Sequence, residues 1–82
     1  MFKNKNDGKC NIVGEKIAEL RIKKQPKCSQ RQLADLLQLQ GVDLDKNAIQ
    51  RIEAGKRFIT DIEIIAFCSV FKVSPNELFS IK

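Results

Sequence analysis

One local pattern recurs three times in this 82-residue chain and restricts its fold more than any other feature. Ser29 is followed three positions later by Gln32, Thr60 by Glu63, and Ser74 by Glu77, the last with Pro75 between them. A hydroxyl that accepts from the backbone three residues on, answered by a carboxylate or amide reaching back, is a capping box. Proline at the first helical position strengthens the third case, because its fixed φ suits a helix start and its missing N–H would have no partner there anyway. Asp45 opens a fourth helix without the reciprocal side chain, since Ala48 stands at its third position. Hydrophobic pairs flank three of these starts as staples: Cys28 with Leu33, Leu44 with Ile49, and Ile59 with Ile64.

Upstream, Asn11 can cap a helix whose apolar face runs through Val13, Ile17 and Leu20, and Pro26 terminates it. Gly41 and Gly55 stand where the second and third helices end, and glycine relieves left-handed backbone at such ends. The predicted elements are five helices, near residues 12–24, 30–39, 46–54, 61–71 and 75–79. No segment alternates apolar and polar long enough to be a strand. The fold class is therefore all-α, with residues 11–82 as one domain behind a flexible basic N-terminal tail at 1–10. The helix at 61–71 is apolar nearly all round, and most of it is expected in the core.

Charge and composition narrow the function. The net charge is +5, and residues 1–28 carry eight basic and three acidic groups while 58–82 carry two and three. A basic end opposite a neutral one suits a polyanionic partner. There is no histidine, which removes the commonest general base and metal ligand. Cys10, Cys28 and Cys68 are odd in number and lack zinc-type spacing, so reduced thiols in a cytoplasmic setting are expected, with Cys68 as a small core residue. No acid–base pair, metal cluster or glycine-rich phosphate loop is recognisable, so we expect no enzyme and no cofactor. No apolar run is long enough for a membrane span, and the start lacks the apolar stretch of a secretory signal.

The third helix carries the chemistry. At 100° per residue Lys46, Gln50, Asn47 and Arg51 fall within an arc of about 140°, while Ala48, Ile49 and Ile52 occupy the opposite side. Arginine and lysine donate to guanine O6 and N7, and asparagine and glutamine pair with adenine N6 and N7. The short capped helix before it, with Leu33, Ala34, Leu36 and Leu37, has a small residue, Ala34, where two helices would cross. That order is a helix-turn-helix whose second helix, Lys46–Ala54, enters the major groove.

These residues resemble a known family. Ser29-Gln30-x-x-Leu33-Ala34, then Ile49-x-Arg51-Ile52-Glu53-x-Gly55-Lys56-Arg57, then Asp61-Ile62-Glu63 and Val73-Ser74-x-x-Glu77-Leu78-Phe79, look like the phage Cro/repressor-type (XRE) helix-turn-helix regulators. The resemblance covers roughly residues 11–79 and implies a compact five-helix, lambda-repressor-like DNA-binding domain. It implies base contacts from Lys46, Asn47 and Arg51, with Gln50 beside them. It implies phosphate contacts from Ser29 and Gln30 at the start of the second helix and from Gly55, Lys56 and Arg57 after the third. It also implies an Arg21–Glu53 pair bridging the first and third helices, which as a surface ion pair would contribute only about 0–1 kcal/mol. The chain departs from the family pattern in a longer stretch from Arg21 to Gln30 and in extra residues between Ala34 and Ile49. The second departure predicts a lengthened turn near Gly41–Leu44.

The resulting expectation is a sequence-specific double-stranded DNA binder that regulates transcription, by default a repressor acting through operator occupancy. Such domains usually bind palindromic sites as dimers, and the C-terminal part, with Phe79 or Ile81 free for a partner, is where a weak homodimer is expected. The alternative from another class is a protein-interaction module, such as the antitoxin half of a toxin–antitoxin pair. The architecture fits a bacterium, phage or mobile element.

Overall fold

The computed structural model describes residues 7–80, and among them every element of the fold is an α-helix. The elements are α1 (Gly14–Lys23), α2 (Gln30–Leu39), α3 (Lys46–Glu53), α4 (Asp61–Phe71) and α5 (Pro75–Leu78). All three capping boxes form as the sequence predicts, and the Asp45 carboxylate accepts from the Ala48 N–H at 2.7 Å. Each cap contributes about 1 kcal/mol by satisfying amides that a helix start leaves unpaired.

Val13, Ile17, Leu33, Leu37, Ile49, Ile52, Phe67 and Leu78 are fully buried, so every helix contributes to one core. Cys28, Leu44 and Cys68 join it, as do Val42 and Ala66. The lengthened α2–α3 turn is thereby held to the core. Gly41 has φ 82°, and the Gly41 and Val42 N–H groups donate back to Gln38 O and Leu37 O. This Schellman closure brings Val42 in beside Leu37. Leu44 is then buried one residue before the Asp45 cap, so the extra residues fix the entry angle of α3.

Two expectations are revised. Asn11 serves the start of α1, but α1 begins later, at Gly14, with Val13 in the capping position. The Asn11 side chain accepts from both the Val13 and Gly14 N–H groups, so it closes the helix from two residues further out. In α4, Ile62 and Ile65 stand 71% and 60% exposed instead of joining the core. The helix lies on one side of a small core: Ala66, Phe67 and Cys68 are buried, Ile64, Val70 and Phe71 pack against the core half-buried, and the arc with Ile62 and Ile65 is uncovered. In the N-terminal stretch, the Cys10 N–H donates to Gly55 O at 2.8 Å and Lys9 pairs with Glu15; residues 1–6 of that tail lie outside the described residues.

Candidate nucleic-acid interface

The face of α3 divides as its periodicity predicts. Ile49 and Ile52 are fully buried, whereas Lys46, Asn47, Gln50 and Arg51 are exposed. None of these four side chains makes an ion pair or hydrogen bond among the described residues. Lysine and arginine offer only donors and the two amides offer both donors and acceptors, so one exposed strip presents an uncommitted pattern matched to base edges.

The helix bearing this strip is anchored at its end by a buried polar junction. Arg21 Nε donates to Glu53 Oε2 at 2.7 Å and Arg21 Nη2 to Glu53 Oε1 at 3.0 Å, a two-pronged pairing. The side chains are 14% and 7% exposed, so the pair is largely shielded from water rather than a surface ion pair. Arg21 Nη1 donates to Cys28 O at 3.0 Å, and Gln30 Nε2 donates to Glu53 Oε1 at 2.9 Å. One carboxylate thus ties α1, the start of α2 and the end of α3 together. Donation to the Glu53 carboxylate holds the Arg21 guanidinium above its ordinary value, against a smaller opposing effect of burial.

The residues assigned to phosphate occupy different situations. Ser29 is exposed, and its hydroxyl oxygen accepts from the Gln32 N–H, which leaves its hydrogen free. Gln30 has its amide nitrogen on Glu53. Gly55, at φ 76°, closes α3 in a Schellman motif: its N–H donates to Ile52 O at 3.0 Å and the Lys56 N–H to Arg51 O at 2.8 Å. Both amides are therefore spent inside the turn, and what this turn offers a phosphate is the exposed Lys56 ammonium. Arg57 turns to Glu63, donating through Nη1 at 3.0 Å and Nη2 at 3.1 Å, and also holds Phe58 O. Burial alone would raise the Glu63 carboxyl, but the hydrogen bond from Arg57 and those from Thr60 hold it below the ordinary value of 4.5. Arg57 thus secures the start of α4.

Two exposed cations absent from the sequence-based assignment flank the start of α2: Lys27 and Arg31, neither in an ion pair among the described residues. Arg31 lines the cleft between α2 and α3 opposite Lys46. Their position two residues to either side of the Ser29 cap was the available signal, since a helix start with adjacent cations favours an anion.

No helix among the described residues is long and apolar enough to cross a membrane. Comparison with known proteins gives one match: the helix-turn-helix family model matches residues 17–78, from the middle of α1 through the last residue of α5. No curated protein and no solved structure matches the chain significantly. The family match covers most of the chain and all of the α2–turn–α3 unit, so the chain belongs to the helix-turn-helix family of Cro/repressor-type (XRE) DNA-binding regulators.

Proposed function

We propose that the protein is a transcriptional repressor that occupies a specific double-stranded operator, with α3 in the major groove. The observation that carries this reading is the strip of four exposed, uncommitted side chains on α3 (Lys46, Asn47, Gln50 and Arg51) above a buried anchoring face. In this reading Lys56, the Ser29 hydroxyl and the Lys27 and Arg31 cations meet the phosphate backbone on either side, while Gln30 and Arg57 act by holding α3 and α4 in place. Repression follows in this reading from occupancy, since a bound operator is closed to polymerase. The working location is the bacterial or phage-infected nucleoid.

The protein acts as a homodimer on a palindromic site. Ile62 and Ile65, on one face of α4, are 71% and 60% exposed, and Phe58, in the α3–α4 connection, is 50% exposed. An apolar strip of this kind costs free energy in water and is relieved by a second copy. Its two-fold partner places a second α3 about 10 bp along the duplex. The same strip supports the antitoxin reading, in which a different protein covers it and the α3 face is dispensable.

Selection from a random duplex library, followed by anisotropy titration at two salt concentrations, tests the reading. A palindromic consensus bound about a thousandfold above random DNA is expected. Arg51→Ala then costs about 1–3 kcal/mol and relaxes one base position. Lys56→Ala weakens all sequences alike and lowers the salt slope by about one. Enrichment of no sequence, together with a stable complex with another protein that is indifferent to Arg51→Ala, would replace this reading with the interaction-module one.

A further inference from the structure

The Asn11 carboxamide fills all four of its hydrogen-bonding positions, and it does so across the chain. Its oxygen accepts from the Val13 N–H at 3.1 Å and the Gly14 N–H at 2.7 Å. Its nitrogen donates to Ile52 O at 3.0 Å and Arg57 O at 2.9 Å. An amide has two donors and two acceptor sites, so none is left over. The two carbonyls bracket the Gly55–Lys56 turn: Ile52 lies in the last turn of α3 and Arg57 just after Lys56.

Neighbouring contacts reinforce the tie. The Cys10 N–H donates to Gly55 O at 2.8 Å, inside the same turn. The Lys9 side chain lies over Gly55 so closely that a Cβ there would sit 3.1 Å from Lys9 Cγ and Cδ. A Cβ on Gly14 would run into Ile52 O, so the start of α1 and the end of α3 meet backbone to backbone. Residues 9–14 thus form a strap behind the turn that carries Lys56 and closes on Arg51 O.

We propose that Asn11 is a positioning residue for DNA binding: by holding Ile52 O and Arg57 O together it sets the Gly55–Arg57 turn against α3, so that Lys56 reaches phosphate while Arg51 reaches a base. This rests on the DNA-binding reading above. It assigns Asn11 no contact with DNA. Without the tie, the turn keeps the Schellman closure and the Cys10–Gly55 hydrogen bond but loses the bridge between Ile52 O and Arg57 O, and part of the ordering of Lys56 relative to Arg51 must then be supplied at binding.

The test separates the strap from the cap. Asn11→Ser keeps a side-chain oxygen for the α1 amides but cannot span to both Ile52 O and Arg57 O. Affinity of the full chain for its selected operator is measured by anisotropy over a salt series, at a temperature where circular dichroism shows both proteins folded. We expect Asn11→Ser to lose about tenfold in affinity, within the range for directly linked groups, and its salt slope to fall by about one as the Lys56 contact is lost. Lys56→Ala should then cost little further in the Asn11→Ser background, although it weakens binding in the wild-type background. If Asn11→Ser melts early yet binds with wild-type affinity and slope, its role is structural only and the proposal falls. Independent, multiplying effects of Asn11→Ser and Lys56→Ala overturn it equally. Should Asn11→Ser not fold, Asn11→Asp keeps both acceptor sites for the Val13 and Gly14 N–H groups and removes only the donors to Ile52 O and Arg57 O, and the same loss of affinity and slope is expected; wild-type binding by that folded variant overturns the proposal. A wild-type protein that selects no duplex overturns the DNA reading itself, a result distinct from one in which Lys56→Ala weakens binding and Asn11→Ser does not.

Discussion

Replacing Glu53 by alanine removes the acceptor for three hydrogen bonds at once: two from Arg21 and one from Gln30. Each hydrogen bond to a charged group is worth about 1.5–3 kcal/mol, and the three are not additive. The larger consequence is that the Arg21 guanidinium, 14% exposed, keeps only Cys28 O and faces no counter-charge. Breaking one side of a buried pair costs about 3–5 kcal/mol, and the residual access of water to Arg21 points to the lower end, about 3 kcal/mol. A domain of this length has a total stability of about 4–12 kcal/mol, so the loss is a large share of it. Urea unfolding followed by circular dichroism at 25 °C measures it directly. With a slope near 1 kcal/mol/M, the midpoint falls by about 3 M, or the variant is unfolded in buffer. The companion Arg21→Met/Glu53→Leu removes both charges and should recover most of the loss, since a packed apolar pair of similar size is close to neutral relative to the ion pair. A Glu53→Ala loss under 1 kcal/mol at unchanged slope would mean the pair behaves as an exposed one, and would refute the claim that this junction fixes α3.

Gly14→Ala should destabilise the protein by about 1–3 kcal/mol, as overpacking does, although alanine is the better helix former by about 1 kcal/mol, because its Cβ would collide with Ile52 O; the same urea titration gives the sign, and a gain in stability would contradict the close approach of α1 and α3. Glu63 has a lowered folded-state value, so its stabilisation is complete above about pH 5 and is lost as the pH falls through that depressed value. Glu63→Gln, which can keep the capping box but not the charge on Arg57, should melt below wild type at neutral pH and match it near about pH 2; parallel melting curves at every pH would refute this. Burial pushes the Cys28 and Cys68 thiols up, so in the native protein Cys10 should react with a thiol reagent while those two react only on unfolding; fast labelling of all three would contradict the packed core.

Local signals carried most of the fold. The capping boxes at Ser29, Thr60 and Ser74 and the cap at Asp45 each depend on residues three apart, which a sequence displays directly, and all four helix starts sit where those signals place them. The donor strip on α3 was equally legible, because a helix's period assigns its two faces without reference to anything else. Long-range partners were not. Nothing near Arg57 distinguishes a guanidinium aimed at phosphate from one turned to Glu63, and that choice depends on how α4 leaves the turn. Asn11 looked like a cap, but its donors go to residues more than forty positions away. Ile62 and Ile65 looked like core because every side of α4 is apolar; only the size of the assembled core decides which side remains uncovered.

The cations around α3 then fall into two groups with different work. Arg21 and Arg57 are spent internally, each on a carboxylate at a helix boundary, and they fix α3 to α1 and the connection to α4. Lys46, Arg51 and Lys56 have no ion-pair partner among the described residues and stand in water. A free cation on a loosely held helix would bind any duplex weakly, because ordering the helix would offset the phosphate attraction. Here α3 is held at its start by the Asp45 cap and buried Leu44, along its length by Ile49 and Ile52, and at its end by Glu53 and the Asn11 strap. Little is left for binding to order except the side chains themselves. Sequence discrimination depends on comparing right and wrong bases in one fixed pose, so under the proposed function the internal pairs would contribute to specificity without touching DNA. Weakening them should lower affinity for the operator more than affinity for random duplex, whereas removing the exposed Lys56 charge weakens both alike.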